Sequence, residues 1–487
     1  MESLPQNRQQ IAIRIATAAI GIAAVALCWR AVAWALRPGG FLMLDELINV
    51  PWDPHLSYGN WLYLMPEVLY NDRPLGRVTE IFLYKTFAFD YSRSVAAFLL
   101  LHFANCVLAY RLFRELKVSA PIGAGCIALF GSLTTTAQTA TYLGASFDIV
   151  CTLFLLSSML ASLGRRWFHP WLSACFYLLA LRSKEFSIVL PLVLTVLLFW
   201  QESSAQKAKS SGFVILRAVL RRLWMHYAIF AVWGTWYLHL ALKDPIPAGN
   251  PYHLQFQLPT IVRSLVYYIA LAFQRDESRR IWLPATLFLL IVLYGFVRRD
   301  LRMLFALCAF LLLILPAAAL PNMRSPFYAY CPQIFVILAI ALLLDSLTLS
   351  IPAAHLHKWG ALTLATILLL CGFAVQSGSY FRARVAWIRN ARSACARTAR
   401  SVEAYLQHIG PSSHLYFSSG SDIPFLMVPG PCHYLHLIRH DDSIPCWIQK
   451  PEAELRALYD ADRSEKYFLD YSADGSFTVR DSFAGRN

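Results

Sequence analysis

Apolar runs long enough to cross a membrane recur along this chain, and several are broken by only one Arg, Cys or Pro. A helix needs about 20 apolar residues to cross a hydrocarbon core about 30 Å thick. Of the 487 residues, 57% are hydrophobic and 15% are charged, whereas a soluble domain carries roughly a quarter charged residues. One buried core would not repeat such runs so often. The sequence therefore predicts an all-α polytopic membrane protein.

The hydropathy pattern predicts about eleven transmembrane helices. Two of the runs, 170–182 and 186–200, are short for a crossing, so they are expected to be tilted, partly re-entrant or misplaced at their ends. The predicted spans are 11–36, 94–113, 120–137, 145–163, 170–182, 186–200, 223–242, 281–297, 302–320, 327–346 and 358–378.

Short basic connectors between the apolar runs set the expected orientation. The net charge is +14, but the basic residues cluster in these connectors, so nucleic-acid binding is not expected. Alternation of the spans places the connectors on one side, which the positive-inside rule identifies as the cytoplasm. The first span is followed by no small-residue cleavage site and is predicted to be a retained helix. The cytoplasmic connectors are 111–117, 165–169, 201–222 and 298–302.

The opposite side is predicted to receive the longer loops. One of them contains "IVRSLVYYIALAF", which is short and flanked by charge, so it is expected to be an amphipathic helix in the membrane interface. The external segments are 37–93, 138–146, 182–185, 243–280, 321–330 and the tail.

The membrane domain is predicted to comprise residues 1–380, and 381–487 is expected to form a small extracytoplasmic α/β domain. In this tail, polar and apolar residues alternate between Gly and Pro breakers, which is typical of short strands. Arginines follow the last span at spacings that would ring a helix, which could lie on anionic headgroups or continue from the last span. They are Arg382, Arg384, Arg389, Arg392, Arg397 and Arg400.

The tail also carries cysteines and histidines. Cys432 and Cys446 share one soluble segment and could form a disulfide if the tail is exported. His433, His436 and His440 resemble metal ligands in their spacing, but the alternation of a strand would split them between two faces. No metal site is therefore predicted there.

Two adjacent carboxylates, Asp45 and Glu46, stand where the first apolar run stops, in "GGFLMLDELINVPWD". Charge beside a bilayer is expensive unless it has a partner or a task. A carboxylate base and several cations at one interface suit a reaction on a lipid phosphate, because the acceptor loses a proton and the departing phosphate gains charge. Residues predicted to gather at the same face are Arg73, His102, Asp148, Arg182, Lys184, Glu185, Arg324, Tyr328 and Tyr330.

The acidic pair resembles the one in the first external loop of GT-C glycosyltransferases, such as the protein O-mannosyltransferases. Five later segments are similar, in order, to motifs of the mannosyltransferase-like branch: "NDRPL", "HFANCVLAYRL", "GASFDIV", "LRSKEFSIVLPL" and "MRSPFYAYCPQIF". The resemblance covers residues 40–340. It implies a multispan fold that binds a polyprenyl-phosphate or dolichyl-phosphate sugar and transfers the sugar, usually with inversion, to an acceptor outside the cytoplasm.

The resemblance also implies roles for these residues. Asp45 would be the general base, and Glu46 or Asp148 would orient the acceptor or a bound cation. The lipid phosphate and donor would be held by Arg73, His102, Arg182, Lys184, Glu185, Arg324, Tyr328 and Tyr330. A divalent metal is possible but not required, because the lipid already supplies a phosphate leaving group.

Two other functions stay open at this point. A lipid-linked-saccharide transporter or flippase would also gather charge in a bundle, but it should show internal repeats or half-helices near the bilayer midplane. A non-catalytic assembly factor would depend on the tail and tolerate the loss of Asp45. The charged residues also have plain structural interpretations: Lys184 and Glu185 could pair only with each other, and Arg324 could reach the headgroups.

Overall fold

A computed structural model describes the greater part of the chain, and most of its described residues before 350 are helical. The described residues are 63–69, 72–87, 90–205, 211–274, 282–349, 392–393, 395–404, 407, 413–419, 430–439, 445–447, 451–471 and 477–483. The helices before the tail are α1 (Pro74–Phe87), α2 (Tyr91–Glu115), α3 (Ala120–Ser132), α4 (Thr134–Thr141), α5 (Ser146–Leu163), α6 (His169–Ser183), α7 (Leu190–Ala205), α8 (Gly212–Arg222), α9 (Trp224–Lys243), α10 (Leu258–Ala272), α11 (Trp282–Arg298), α12 (Leu301–Ala318) and α13 (Tyr330–Leu349).

Among the described residues, five helical stretches are long and apolar enough to cross a membrane. They are Tyr91–Glu115, Leu143–Leu163, Glu185–Ala205, Leu301–Ala318 and Pro326–Leu347. Each coincides with a predicted span, so the polytopic helical fold class is confirmed. The number of spans is not, because α6 has only 15 residues and α11 only 17, and the predicted spans 11–36 and 358–378 lie outside the described residues.

The predicted span 120–137 is broken into two helices. Leu133 adopts an extended backbone, and α3 and α4 meet there at a bend of 59°. Leu133 offers no side-chain cap to α4. The Oε1 atom of Gln274 instead accepts from the backbone N–H groups of Thr134 and Thr135, at 3.0 and 3.4 Å. A distant side chain thus satisfies two of the N–H groups that a new helix start leaves unpaired.

Side-chain contacts group the connectors at two ends of the bundle. Arg302 Nη1 donates to the Leu116 carbonyl at 3.3 Å, and Arg222 Nη2 donates to the Gly164 carbonyl at 2.6 Å. These four residues belong to the basic connectors or border them, whereas segment 182–185 lies at the other end of α6. The contacts agree with the predicted alternation of helix direction, and the assignment of one end to the cytoplasm stays a prediction.

The tail contains a four-stranded sheet of order β2-β1-β3-β4. Its strands are β1 (His414–Ser419), β2 (Cys446–Trp447), β3 (Lys466–Tyr471) and β4 (Phe477–Phe483), with α14 (Gly430–Arg439) and α15 (Glu452–Ala461) between them. β1 is parallel to β2 and β3, and β3 is antiparallel to β4. Consecutive β1 residues 415–417 are all buried, as expected for a strand covered on both faces. The predicted α/β tail is therefore present.

Two expectations for the tail need correction. The segment with His433 and His436 is helix α14, not a strand, so alternation between strand faces does not apply to it. Arg392 is buried, so its side chain does not lie on anionic headgroups: its Nη2 donates to the Thr141 carbonyl at 3.3 Å, and its guanidinium lies 4.0 Å from the centre of the Tyr91 ring. Tyr91 and Thr141 belong to the helical bundle.

Asp462 joins the end of α15 to the sheet. It accepts hydrogen bonds from the Tyr416 hydroxyl at 2.7 Å and the Ser464 N–H at 2.9 Å, and it lies 2.5 Å from His414 Nδ1. Burial raises the pKa of the Asp462 carboxyl, but these hydrogen bonds outweigh burial and hold the pKa well below its usual range. The carboxylate is therefore ionised in the folded domain at neutral pH.

Cys432 of α14 and Cys446 of β2 form a disulfide, with their Cα atoms 5.5 Å apart. The sequence left this pairing open. We expect Cys432→Ser to lower the free energy of unfolding of the tail by about 3 kcal/mol, the entropic value for a loop of about 15 residues. Urea-dependent proteolysis of the purified protein measures this change. Cys175→Ser is the control, because Cys175 is free and exposed; equal loss in both variants would contradict a stabilising disulfide.

Candidate functional site

Three ion pairs lie at the end of the bundle where α6 stops. In the first, Arg73 binds Glu185 through two parallel hydrogen bonds: Nε donates to Oε2 at 2.8 Å and Nη2 to Oε1 at 2.5 Å. The side chains are 7% and 12% exposed. A bidentate guanidinium–carboxylate pair fixes both position and orientation, so the start of α1 is tied to the segment after α6.

The second pair joins Lys184 to Asp148 of α5. The Lys184 ammonium also lies 4.3 Å from the centre of the Tyr328 ring and 5.2 Å from that of Phe186. The two rings meet edge to face, with their centres 5.0 Å apart. Cation–π attraction of this kind is strengthened when the cation is desolvated. The ammonium is therefore held between one carboxylate and two aromatic faces.

The third pair joins Arg182 to Asp72, with Nη2 3.2 Å from Oδ1. Asp72 also accepts from the Tyr63 hydroxyl and, at 2.5 Å, from the Glu67 N–H. Arg182 Nε donates to the Tyr63 carbonyl at 3.2 Å. Burial and the hydrogen bond to Asp72 raise the pKa of the Tyr63 phenol to about 12, so the hydroxyl remains a donor at neutral pH.

A break in the helix separates the side chains of Arg182, Lys184 and Glu185. Helix α6 ends at Ser183, Lys184 has an extended backbone with φ −160° and ψ 130°, and a 3-10 helix begins at Glu185. The side chains of Arg182, Lys184 and Glu185 therefore meet different partners, which are Asp72, Asp148 and Arg73, respectively. The interpretation that Lys184 and Glu185 pair only with each other is wrong, since each has its partner elsewhere.

Close packing of α1 on α5 supports this arrangement. Gly76 lies so close to Phe147 that an added Cβ atom would be 2.0 Å from the ring. The guanidinium groups of Arg73 and Arg77 lie 5.2 and 5.9 Å from the centre of the same ring. Glu80, one turn further along α1, accepts from the Ser146 hydroxyl at 2.9 Å. Gly76 thus permits the approach that places Arg73 over Phe147.

His102 and Tyr330 form a neighbouring polar group inside the bundle. The His102 Nδ1 atom lies 2.7 Å from the Tyr330 hydroxyl, which also accepts from Asn105 Nδ2 at 3.2 Å. Asn105 donates in addition to the carbonyl of Ile149 at 3.0 Å. Because Ile149 follows Asp148, this group lies next to the second ion pair.

Arg324 lies on the segment between α12 and α13. Its guanidinium carbon is 5.9 Å from the centre of the Tyr267 ring of α10.

The structure thus brings together six of the predicted site residues, namely Arg73, Asp148, Arg182, Lys184, Glu185 and Tyr328. It places His102 and Tyr330 next to them, and Arg324 against α10.

Three contributors were not among the predicted site residues: Asp72, Tyr63 and Glu80. Asp72 could have been predicted from the sequence, because it directly precedes Arg73 in "NDRPL". Tyr63 and Glu80 carry no sequence signal that sets them apart. Asp45 and Glu46 lie outside the described residues. Within the described residues, no group of three or more His, Cys, Asp or Glu side chains could hold a metal ion.

Each cation of the three pairs retains N–H groups that its carboxylate does not use. Glu185 takes two of the five N–H groups of Arg73, and Asp148 takes one of the three of Lys184. Arg182 Nη1 is buried and has no hydrogen-bond partner among the described residues. Buried donors without a partner are costly. The cluster can therefore donate further hydrogen bonds to an anion without breaking the ion pairs.

An apolar groove of about 360 Å³ runs along α2, between it and helices α3 and α4. Leu99, Val107 and Ile127 are among its lining side chains, and His102 lines it too. His102 therefore lines the groove and also belongs to the polar group beside the ion pairs.

Comparison with known proteins finds similarity among solved structures. No protein-family model and no curated protein matches the chain. Among solved structures, the chain is similar to the crystal structure of ArnT from Cupriavidus metallidurans bound to undecaprenyl phosphate, with 13% sequence identity and a TM-score of 0.46. The match covers 93% of this chain and 92% of that one.

We expect Gly76→Ala to lower the free energy of unfolding by about 1 to 3 kcal/mol, the usual cost of overpacking, because its methyl group would displace the Phe147 ring. Thermal unfolding of the detergent-purified protein measures this. Gly249→Ala is the matched control, since nothing lies within 4 Å of an added Cβ there. Adding Phe147→Ala to Gly76→Ala should remove the clash. Wild-type stability of Gly76→Ala would show that α1 does not need this close approach.

Proposed function

We propose that this chain is a membrane glycosyltransferase of the GT-C type, which moves a hexosyl group from a polyprenyl-phosphate-linked donor to an acceptor. The observation that carries the proposal is the cluster of three ion pairs whose cations keep unused N–H groups. Catalysis would take place at this end of the bundle. The acceptor is expected outside the cytoplasm, as the positive-inside rule and the resemblance to the mannosyltransferase-like branch suggest.

A phosphate fits the cluster because its charge and its several oxygens match the donors that remain. Lys184 offers two N–H groups, and Arg73 and Arg182 offer guanidinium N–H groups in a fixed planar geometry that suits phosphate. The three carboxylate partners orient the cations before the donor arrives. Donors that are already oriented stabilise developing negative charge without reorganisation. The departing lipid phosphate gains such charge when the sugar leaves.

The apolar groove along α2 suits the chain of the lipid. A polyprenyl chain is a flexible hydrocarbon, and apolar side chains line most of the groove. His102 lines it and contacts Tyr330, and Asn105, one turn along α2, reaches the residue after Asp148. The lipid chain would therefore lie in the groove while its phosphate reaches Lys184.

The reaction would follow a single displacement. The acceptor oxygen forms a bond to the anomeric carbon as the bond from that carbon to the phosphate oxygen breaks. The electron pair leaves with the polyprenyl phosphate, and the acceptor proton passes to Asp45 as general base. Attack opposite the leaving group inverts the anomeric configuration. Glu46 or Asp148 would orient the acceptor.

We expect Asp45→Asn to lower the transfer rate about 100-fold or more, the usual contribution of a general base. Expression and lipid binding should stay near normal, because Asn keeps the shape and the hydrogen bonding. Transfer of radiolabelled sugar from polyprenyl-phosphate donors to membrane acceptors measures the rate, beside Glu46→Gln. Full activity of Asp45→Asn would refute Asp45 as the base, and loss in Glu46→Gln alone would reverse the roles of the pair.

We expect Lys184→Gln to weaken donor use about 10-fold to 100-fold, the effect of losing a charge-assisted hydrogen bond. The KM for the donor in a detergent-solubilised transfer assay measures this. Because the substitution leaves Asp148 without its cation, the double variant Lys184→Gln with Asp148→Asn separates folding from binding: it should fold and still use the donor poorly.

Lys243→Gln, at the exposed end of α9, is the matched control and should keep the wild-type KM. Unchanged donor kinetics in the Lys184 variants would return this lysine to a structural role. Sugar transfer in detergent also distinguishes an enzyme from a flippase. A flippase moves lipid between the two leaflets of a bilayer, and a detergent micelle has no leaflets.

A further inference from the structure

A polar cavity lies at the opposite end of the bundle from the ion pairs. It has a volume of about 540 Å³. Basic side chains line it, namely Arg298, Arg299 and Arg302, together with Ser204 and Ser346. None of these residues belongs to the proposed transferase site.

The cavity lies at the level where several membrane helices end. Ser204 stands one residue before the end of the stretch Glu185–Ala205, and Ser346 stands one residue before the end of Pro326–Leu347. The third of these stretches begins at Leu301, beside Arg302. Such ends of apolar helices mark the headgroup region of a bilayer.

Positive charge in the cavity exceeds negative charge. Asp300 is the acidic residue of its lining, and both its oxygens are used: Oδ1 accepts from Arg302 Nε at 3.0 Å and Oδ2 from Nη2 at 2.7 Å. Arg298 and Arg299 are exposed, and the described part of the chain supplies no hydrogen bond to either guanidinium. Two cations therefore remain for a ligand.

Apolar side chains next to the cavity are exposed as well. Val297, which lines it, is 79% exposed, and Phe296 on the same helix is 62% exposed. Further along α11, Leu293 and Leu290 are also exposed. A water-soluble anion would leave this apolar face uncovered, whereas the chains of a lipid would cover it.

The backbone conformation of Arg299 allows its charge to be tested by a glycine substitution. Arg299 has φ 51°, in the left-handed region. It occupies the position after α11 at which the Arg299 N–H bonds to the Phe296 carbonyl at 3.1 Å and the Asp300 N–H to the Gly295 carbonyl at 3.1 Å. Helix ends of this kind favour Gly there, because a Cβ atom is strained. Lys117 has the same conformation after α2, so the strain alone assigns no role to Arg299. Glycine at position 299 would, however, remove the guanidinium and relieve the strain in one substitution.

We propose that Arg298 and Arg299 bind the phosphate of an anionic phospholipid of the surrounding bilayer, with the lipid chains against the apolar face of α11. This site is separate from the donor site and independent of the proposed transferase function. Its effect is to fix the end of the bundle where α7, α11, α12 and α13 meet.

The experiment measures phospholipid binding to the full-length protein in detergent by native mass spectrometry. Phosphatidylglycerol is compared with phosphatidylcholine and with soluble glycerol phosphate, in wild type, Arg298→Gln and Arg299→Gly. Lys117→Gly is the matched control: Lys117 has φ 63° at the corresponding position after α2, is exposed, and does not line the cavity. Thermal unfolding without lipid accompanies each variant.

We expect the wild type to prefer phosphatidylglycerol, and each arginine variant to lose about fivefold in affinity for it. Without lipid, Arg299→Gly should be at least as stable as the wild type, because the strain is relieved, and Lys117→Gly should keep the lipid affinity. Equal affinity in Arg299→Gly and wild type would overturn the proposal. So would equal binding of phosphatidylcholine, or binding of glycerol phosphate as tight as that of the lipid.

Discussion

The cost of placing charge in apolar surroundings governs this structure. Removing a charge from water costs several kcal/mol per ion unless a partner and hydrogen bonds compensate. Arg73, Arg182 and Lys184 each have a carboxylate partner on a different segment of the chain. The start of α1, the start of α5 and the break after α6 must therefore meet at one place before all three charges are satisfied.

Buried ion pairs of this kind add little net stability, since hydrophobic residues of similar volume would serve as well. Their retention at one end of the bundle therefore favours a role in binding. The incomplete use of the N–H groups of these cations leaves donors for an anion. At both the proposed donor site and the arginine cavity, charge is compensated within the protein only in part, and we propose that a phosphate compensates the remainder.

The sequence could predict much of this arrangement. Long apolar runs identify most helices, and the order of the motifs brings all six clustered residues to one end of the bundle. What it could not predict are pairings between distant segments: Asp72 with Arg182, or Gln274 as the cap of α4. Local patterns carry no information on such contacts. The helix α14 was missed for a related reason, because its short segment between Gly and Pro breakers fits a strand equally well, and tertiary packing decides between them.

The most direct test of the central claim is a density map of the protein with a polyprenyl phosphate bound. The account predicts phosphate density within about 2.7 to 3.2 Å of Lys184 Nζ and of an N–H group of Arg73 or Arg182. The three ion pairs should remain intact, and the lipid chain should follow the groove along α2. A phosphate held away from all three cations, with the cluster unchanged, would contradict it.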